Sequence, residues 1–300
     1  MENYNNFIYQ ARFLVKSNWL QAVQILEEAI QNHPDAKALY FELADIYKQK
    51  NSLKKVIDNY QKILNLDDKD TLARFKLANT YLEMDEAKIA LYHYNKIEEE
   101  FPELLYNKAL ANYYMLKYND AIKALSKLIE ISPKANTAYT FLIELLINNN
   151  KLNKAFNYLN LYESRFGTTP NINYLRGFAY LQKNNWLAAY NEYLLALPGF
   201  QDNYRLHHFL ALSAEKIGQI DKALQHYKNA IDLKKEDKTV ILDFIKFITN
   251  NNLWDKLLPN TKPSANKKKE LKKILNGVDE ATINMALKFF SKRNTYKQDD

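Results

Sequence analysis

The stretch that decides the fold is YNKALANYYMLKYNDAIKALSKLIEISP, residues 106–133. Its second half places Ala121, Leu125 and Leu128 at intervals of four and three residues, which puts these side chains on one face of a helix. A short polar turn separates this helix from an earlier one, and Pro133 closes the segment because proline cannot continue a helix. The stretch therefore predicts two antiparallel helices joined by a tight turn.

The same pattern recurs along most of the chain. A small or aliphatic residue near the start of each second helix returns at spacings of 34, 34, 31, 34, 34, 34 and 34 residues. These residues are Ala22, Val56, Ala90, Ala121, Ala155, Ala189, Ala223 and Leu257. One helix pair cannot bury its apolar faces alone, so we expect the pairs to stack into a continuous core, each touching only its neighbours.

This pattern resembles the tetratricopeptide repeat family in its 34-residue period, the apolar residue at the turn, the alanine three residues later and the proline near the repeat end. The resemblance covers roughly residues 3–257. It implies an all-α, right-handed α-solenoid of about seven stacked helix–turn–helix repeats, with a concave groove that binds partner segments, usually peptides. The 31-residue step near Pro102 departs from the period, and we expect the superhelical pitch to change there.

The sequence predicts four regions: a solenoid over 1–258, a linker over 259–266, a basic C-terminal helical hairpin over 267–293 and a polar tail over 294–300. The predicted repeats are 3–36, 37–70, 71–104, 102–135, 136–169, 170–203 and 204–237, followed by a partial repeat at 238–258. We interpret the hairpin first as a cap on the end of the solenoid, since terminal repeats otherwise expose their apolar face. Docking of a partner is the alternative role.

Composition argues against several classes of function. Five glycines and seven prolines in 300 residues indicate helices rather than hairpin-rich sheets, and no glycine-rich nucleotide-binding motif is present. Without cysteine the chain has no disulfide and no thiolate metal ligand. His93 and His226 share a repeat position and are interpreted as surface residues of their repeats. We therefore expect a protein that is not an enzyme and that uses no cofactor and no metal.

The charge is unevenly distributed. The formal net charge is +7, and the residues from Lys262 onward contribute ten Lys or Arg against five Asp or Glu. A basic cluster in this region is the alternative candidate site, for anion binding: Lys267, Lys268, Lys269, Lys272 and Lys273. The N-terminal residues do not resemble a signal peptide and no stretch is apolar enough to span a membrane, so we expect a cytoplasmic protein.

The resemblance also implies which residues line the groove, because first helices face it in the family. The candidate partner-binding residues are Phe75, Asn79, Tyr106, Leu110, Tyr113, Tyr174, Phe178, Arg205 and His208. Most of them are aromatic, aliphatic or amide-bearing, which favours a peptide with apolar anchors.

One known use of the family does not fit. Chaperone-binding members clamp a terminal carboxylate with asparagines and cationic side chains. Here Asn79 and Asn107 occupy the asparagine positions, but Phe75, Thr137 and Phe141 stand where the clamp of the family has Lys or Arg. The cationic half of that clamp is missing, so we reject this mode of binding.

Three functions remain open at this point. The leading hypothesis is a non-enzymatic scaffold or adaptor that holds a segment of a partner protein in its groove. The second is nucleic-acid or anionic-surface binding through the basic C-terminal region. The third is an accessory subunit that recruits substrate for a catalytic partner chain.

Overall fold

The computed structural model describes residues 4–253 together with residues 280, 281 and 284. Residues 4–253 form fifteen α-helices and contain no strand. The first helices of seven consecutive pairs are α1 (Tyr4–Leu14), α3 (Lys37–Gln49), α5 (Thr71–Glu83), α7 (Pro102–Tyr114), α9 (Asn136–Asn148), α11 (Pro170–Gln182) and α13 (Tyr204–Lys216). The second helices are α2 (Trp19–Asn32), α4 (Leu53–Leu66), α6 (Ala87–Asn95), α8 (Tyr118–Ile131), α10 (Leu152–Phe166), α12 (Trp186–Ala196) and α14 (Ile220–Leu233). A further helix, α15 (Lys238–Asn250), begins an eighth unit, so the predicted all-α repeat fold is confirmed.

The turns inside the pairs share one backbone conformation. In the second to seventh pairs, the residue two positions before the second helix has a positive φ, and these residues are Asn51, Asp85, Leu116, Asn150, Asn184 and Gly218. Asn252, which follows α15, also has a positive φ. The next residue donates its N–H to a carbonyl five positions earlier, as Ser52 does to Tyr47 at 2.9 Å. This is the Schellman arrangement, which ends a helix by satisfying its last carbonyls. Asparagine tolerates the left-handed conformation better than most residues, which explains its frequency here.

Within each unit, the core lies between the two helices of a pair and between neighbouring pairs. The small residue that defines the period is fully buried in all seven second helices, from Ala22 to Ala223. The large apolar residue four positions later is also buried in every pair, and these residues are Leu26, Tyr60, Tyr94, Leu125, Leu159, Tyr193 and Tyr227. The core that the sequence period predicts is therefore confirmed.

The 31-residue step has a visible structural origin. First helices begin 34 residues apart from α3 onward, except between Thr71 of α5 and Pro102 of α7, where the interval is 31. The intervening α6 has only 9 residues, against 14 in α4 and α8. Ile97, which follows α6, is still buried. The 31-residue step therefore shortens the C-terminal end of α6, and Ile97 still fills the buried core position that follows this helix.

The chain divides into two compact units, which we call unit 1 and unit 2. Unit 1 ends at Leu145 and unit 2 begins at Leu146, so the division falls within α9. The predicted linker, C-terminal hairpin and tail lie outside the described residues apart from Glu280, Ala281 and Asn284, which are helical. The predicted domain boundaries stay a prediction.

The two units join their helices with different polar contacts. In unit 1, ion pairs link neighbouring repeats, with Lys37 Nζ 2.6 Å from Asp70 and Lys48 Nζ 2.8 Å from Glu83. Such exposed pairs contribute little to stability individually. In unit 2, Arg176 of α11 is buried, and its guanidinium donates to two side chains of α10 at 2.8 Å each.

Candidate functional site

Unit 1 contains a cavity of about 350 Å³ that is lined mainly by its first helices. Phe75 and Asn79 line it from α5, Tyr106 and Asn107 line it from α7, and Thr137 lines it from the start of α9. Phe75 and Asn79 are four residues apart, so they project from one face of α5. Three predicted groove residues, Phe75, Asn79 and Tyr106, are thus brought together at one cavity.

The polar part of this cavity is an amide pair. Asn107 Nδ2 donates to Asn79 Oδ1 at 2.9 Å, and the Tyr94 hydroxyl donates to the same oxygen at 2.5 Å. Burial raises the pKa of Tyr94, so its phenol stays protonated and remains a donor. Because Asn79 Oδ1 already accepts two hydrogen bonds, Asn79 offers its Nδ2 donors and Asn107 offers its Oδ1 acceptor to a ligand.

The apolar part of the cavity is built from rings. Phe75 packs edge-on against Phe101 with ring centroids 5.1 Å apart, and against Tyr94 at 6.0 Å. Phe101 directly precedes Pro102, which begins α7 and fixes where that helix starts. The aromatic surface continues along α7, where Leu110 is half-buried and Tyr113 is exposed. The first-helix face of unit 1 therefore presents both an apolar recess and an aromatic ridge.

The predicted aromatic residues of unit 2 have a different environment. Tyr174 and Phe178 of α11 are half-buried, and Phe209 of α13 packs against both, at 6.2 Å and 5.8 Å between ring centroids. Tyr174 also contacts Phe200 at 5.4 Å. Phe209 was not among the predicted site residues, although it occupies the same repeat position as Asn107. These rings therefore pack against one another within unit 2.

The two ionisable groove candidates also differ from each other. Arg205 is exposed, and its Nε donates to the Tyr204 hydroxyl at 3.1 Å. His208 is buried, and its Nε2 lies 3.1 Å from Asp243 Oδ2 on α15. Burial lowers the pKa of His208, with the Asp243 carboxylate opposing the shift, so the neutral ring donates to Asp243. The function of the nine predicted groove residues stays a prediction.

Sequence reasoning missed a buried histidine pair in unit 2. His226 is buried, so its interpretation as a surface residue is wrong. Its Nδ1 lies 3.2 Å from Nδ1 of His207, whose Nε2 lies 3.0 Å from the carbonyl oxygen of Gln201. A carbonyl only accepts, so His207 carries a proton on Nε2 and donates it to Gln201. Burial, followed by the charges of His207 and Lys222, lowers the pKa of His226 to about 4.

The basic cluster of Lys267, Lys268, Lys269, Lys272 and Lys273 lies outside the described residues. Within the described part of the chain, none of the helices combines the length and apolar character needed to cross a bilayer.

Comparisons with known proteins agree with this architecture. The family model described as "Tetratricopeptide repeat" matches residues 72–104 and 103–135. No curated protein sequence matches the chain. Among solved structures, the C-terminal part of a repeat protein of this kind from Cytophaga hutchinsonii is 14% identical, with a TM-score of 0.63 over 81% of this chain and 98% of that chain.

Two further structures show the same likeness. A tetratricopeptide repeat protein from Parabacteroides merdae is 19% identical, with a TM-score of 0.53 over 81% of this chain and 98% of that one. YrrB, a protein of the same repeat class "with an unusual peptide-binding site", is 21% identical, with a TM-score of 0.55 over 64% and 97%. At these identities the likeness is one of fold.

The described helices define a helical-repeat protein built from stacked helix–turn–helix pairs. The tetratricopeptide repeat model matches two of these repeats, and the solved structures named above share the same repeat fold. Repeats of this family bind protein partners, so the fold supports a role as a protein–protein interaction scaffold.

Proposed function

We propose that this chain is a scaffold or adaptor that binds an extended peptide segment of a partner protein at the first-helix face of unit 1. The single observation that carries the proposal is the cavity in which Phe75 and Tyr106 lie beside the Asn79–Asn107 amide pair. A recess lined by rings and a few fixed polar groups is the usual form of a binding site. The similar protein YrrB has a peptide-binding site of its own, which is consistent with such a use of the fold.

The chemistry of the amide pair matches a peptide backbone. Asn79 Nδ2 donates to a backbone carbonyl of the ligand, and Asn107 Oδ1 accepts from a backbone N–H. Both side chains are held in place by bonds within the unit, so little ordering entropy is lost when the peptide binds. The adjacent recess takes one large apolar side chain of the peptide, with its ring or branch against Phe75 and Tyr106.

The test begins with peptides selected by the full-length chain from a random-sequence display library. A selected peptide carrying a fluorescent label is then titrated with the wild type and with Tyr106→Ala by fluorescence anisotropy. Removing a ring that lines the recess should weaken binding by about tenfold or more. Tyr174→Ala is the matched control, because Tyr174 occupies the same repeat position in unit 2 and does not line the cavity of unit 1. Its ring contact is also equivalent, since Tyr174 lies 6.2 Å from Phe209 and Tyr106 lies 6.1 Å from Phe141 between ring centroids.

The control should keep the affinity of the wild type. Equal loss of binding in both variants, or no loss in Tyr106→Ala, would contradict the proposed site.

Nucleic-acid binding and an accessory role in an enzyme complex stay predictions, and the described residues add no observation in favour of either. The cytoplasmic location likewise stays a prediction.

A further inference from the structure

The outer face of α12 in unit 2 carries three exposed leucines, which we call the α12 leucine face. Leu187, Leu194 and Leu195 are 56%, 39% and 59% exposed. They lie seven and eight residues apart, so they share one side of the helix. Asn191, which lies between them on the same side, is also exposed. Contiguous exposed apolar residues of this kind mark interaction surfaces more often than scattered single ones do.

The other repeats show that these leucines serve no purpose in stacking. Counted from the buried small residue of each second helix, the three positions can be located in the six other pairs. Sixteen of the eighteen equivalent residues are polar or charged, and only Leu20 and Leu161 are apolar. In α4 the three positions hold Lys54, Gln61 and Lys62, all exposed. Since polar residues suffice for the same fold six times, the leucines of α12 require another explanation.

The charge around this face favours a second copy of the chain as its partner. The single charged residue of α12 is Glu192, whose side chain is only 21% exposed and lies 3.9 Å from Arg176 Nε. The α12 leucine face itself is therefore neutral. The adjacent α14 exposes Asp221 and Lys222 in its first turn, with Lys222 Nζ 5.7 Å from the Tyr190 ring of α12, and it exposes Lys228 two turns later. Antiparallel pairing of two copies brings Asp221 of each copy towards Lys228 of the other.

We infer that the α12 leucine face is a self-association surface, at which α12 of one copy packs antiparallel against α12 of a second copy. This inference is independent of the proposed peptide site, which lies in unit 1. The leucines cover less surface than a standard stable interface, so we expect micromolar rather than nanomolar self-association. The leucines would bury against one another and leave Asn191 near the twofold axis.

The first test measures molar mass by light scattering and sedimentation, for the full-length chain at concentrations from about 5 to about 500 µM. The wild type should shift from monomer towards dimer over this range. The variant Leu187→Lys, Leu194→Gln, Leu195→Lys takes its side chains from α4, so its helix content in circular dichroism should match the wild type. It should remain monomeric throughout. A wild type that stays monomeric at the highest concentration, or a variant that dimerises equally, overturns the inference.

The second test uses the absence of cysteine from the sequence. Asn191→Cys introduces one thiol at the centre of the α12 leucine face, and Asp58→Cys introduces one at the equivalent exposed position of α4. A short bismaleimide should crosslink Asn191→Cys into covalent dimers and leave Asp58→Cys largely monomeric. Equal crosslinking of the two variants overturns the assignment of the α12 leucine face as the self-association surface. Retained peptide affinity in the leucine variant would separate this surface from the peptide site.

Discussion

The amide pair of unit 1 and a ring pair of unit 2 occupy the same two repeat positions. Asn79 faces Asn107 in the first case, and Phe178 faces Phe209 in the second. The amide pair is small and lies beside a cavity of about 350 Å³, while the two rings stack at 5.8 Å. One repeat register thus produces an open polar recess in one unit and a packed aromatic cluster in the other. The side chains at both positions of the pair decide which of the two arrangements forms.

The largest expected effect comes from converting one arrangement into the other. The double variant Asn79→Phe, Asn107→Phe installs the ring pair of unit 2 in unit 1 and should fill the recess. Affinity for a selected peptide should then fall by roughly a hundredfold, because both the apolar recess and the backbone-binding amides are lost. Fluorescence anisotropy measures the affinity, and circular dichroism checks that the helices are retained. Binding at wild-type strength would show that the recess is not the site.

The second-largest expected effect is on the pH dependence of stability. It concerns two histidines at one repeat position, His93 in unit 1 and His226 in unit 2. The pKa of His226 is lowered to about 4 by burial, then by His207 and Lys222, whereas an unfolded chain titrates near 6.5. The unfolded state therefore binds more protons below pH 6.5, so the stability contribution is present above that pH and is lost as pH falls towards 4. The loss should be about 2 kcal/mol between pH 7 and pH 5.

Urea denaturation at both pH values measures this loss, and His226→Asn should remove it. The pKa of His93 is also lowered, by burial and then by Arg74 and Lys96, but this ring is only half-buried. His93→Asn should therefore change the pH dependence less than His226→Asn does. A larger change in His93→Asn would reverse the order that the two environments predict.

The third effect concerns the helix crossings. Ala78 in unit 1 and Gly177 in unit 2 share a repeat position, and a Cβ atom at Gly177 would lie 2.7 Å from the ring of buried Tyr193. Gly177→Ala should destabilise the chain by about 1 to 2 kcal/mol, since overpacking outweighs the better helix propensity of alanine. Urea denaturation tests this. Adding Tyr193→Leu, the residue type found at the equivalent Leu125, should recover part of the loss. Unchanged stability in the single variant would mean that the ring moves aside freely.

The smallest effect concerns the turns. Leu116 ends α7 in unit 1 with φ of 58°, where Asn184 ends α11 in unit 2 with φ of 56°. Leucine is strained in this conformation and is 70% exposed here, so little packing is lost on substitution. Leu116→Asn should raise the free energy of unfolding by about 0.5 to 1 kcal/mol. A decrease in the thermal midpoint would contradict the strain argument.

Much of the fold follows from the sequence period. A residue such as Ala121 must be buried wherever the helix pairs stack, because the 34-residue spacing returns it to the same contact in each repeat. The turn residues also follow, since a left-handed position favours asparagine, as at Asn51 and Asn184. Only part of the candidate site could be predicted from the sequence. Phe75, Asn79 and Tyr106 meet at one cavity, while His208 is buried against Asp243 rather than exposed.

The sequence by itself determined the repeat, its length, the short step near Pro102 and the identity of the core positions, because these depend on spacing along one chain. The tertiary structure alone decided which aromatic residues remain accessible. Phe178 packs against Phe209, which lies 31 residues further along on the next first helix. At the position of Phe209, unit 1 has the smaller Asn107, and Phe75 lies beside an open recess. It also decided that His207 and His226 form a buried pair. Exposure at a repeat surface depends on the facing residue of the neighbouring repeat, and only the packed structure shows which residue that is.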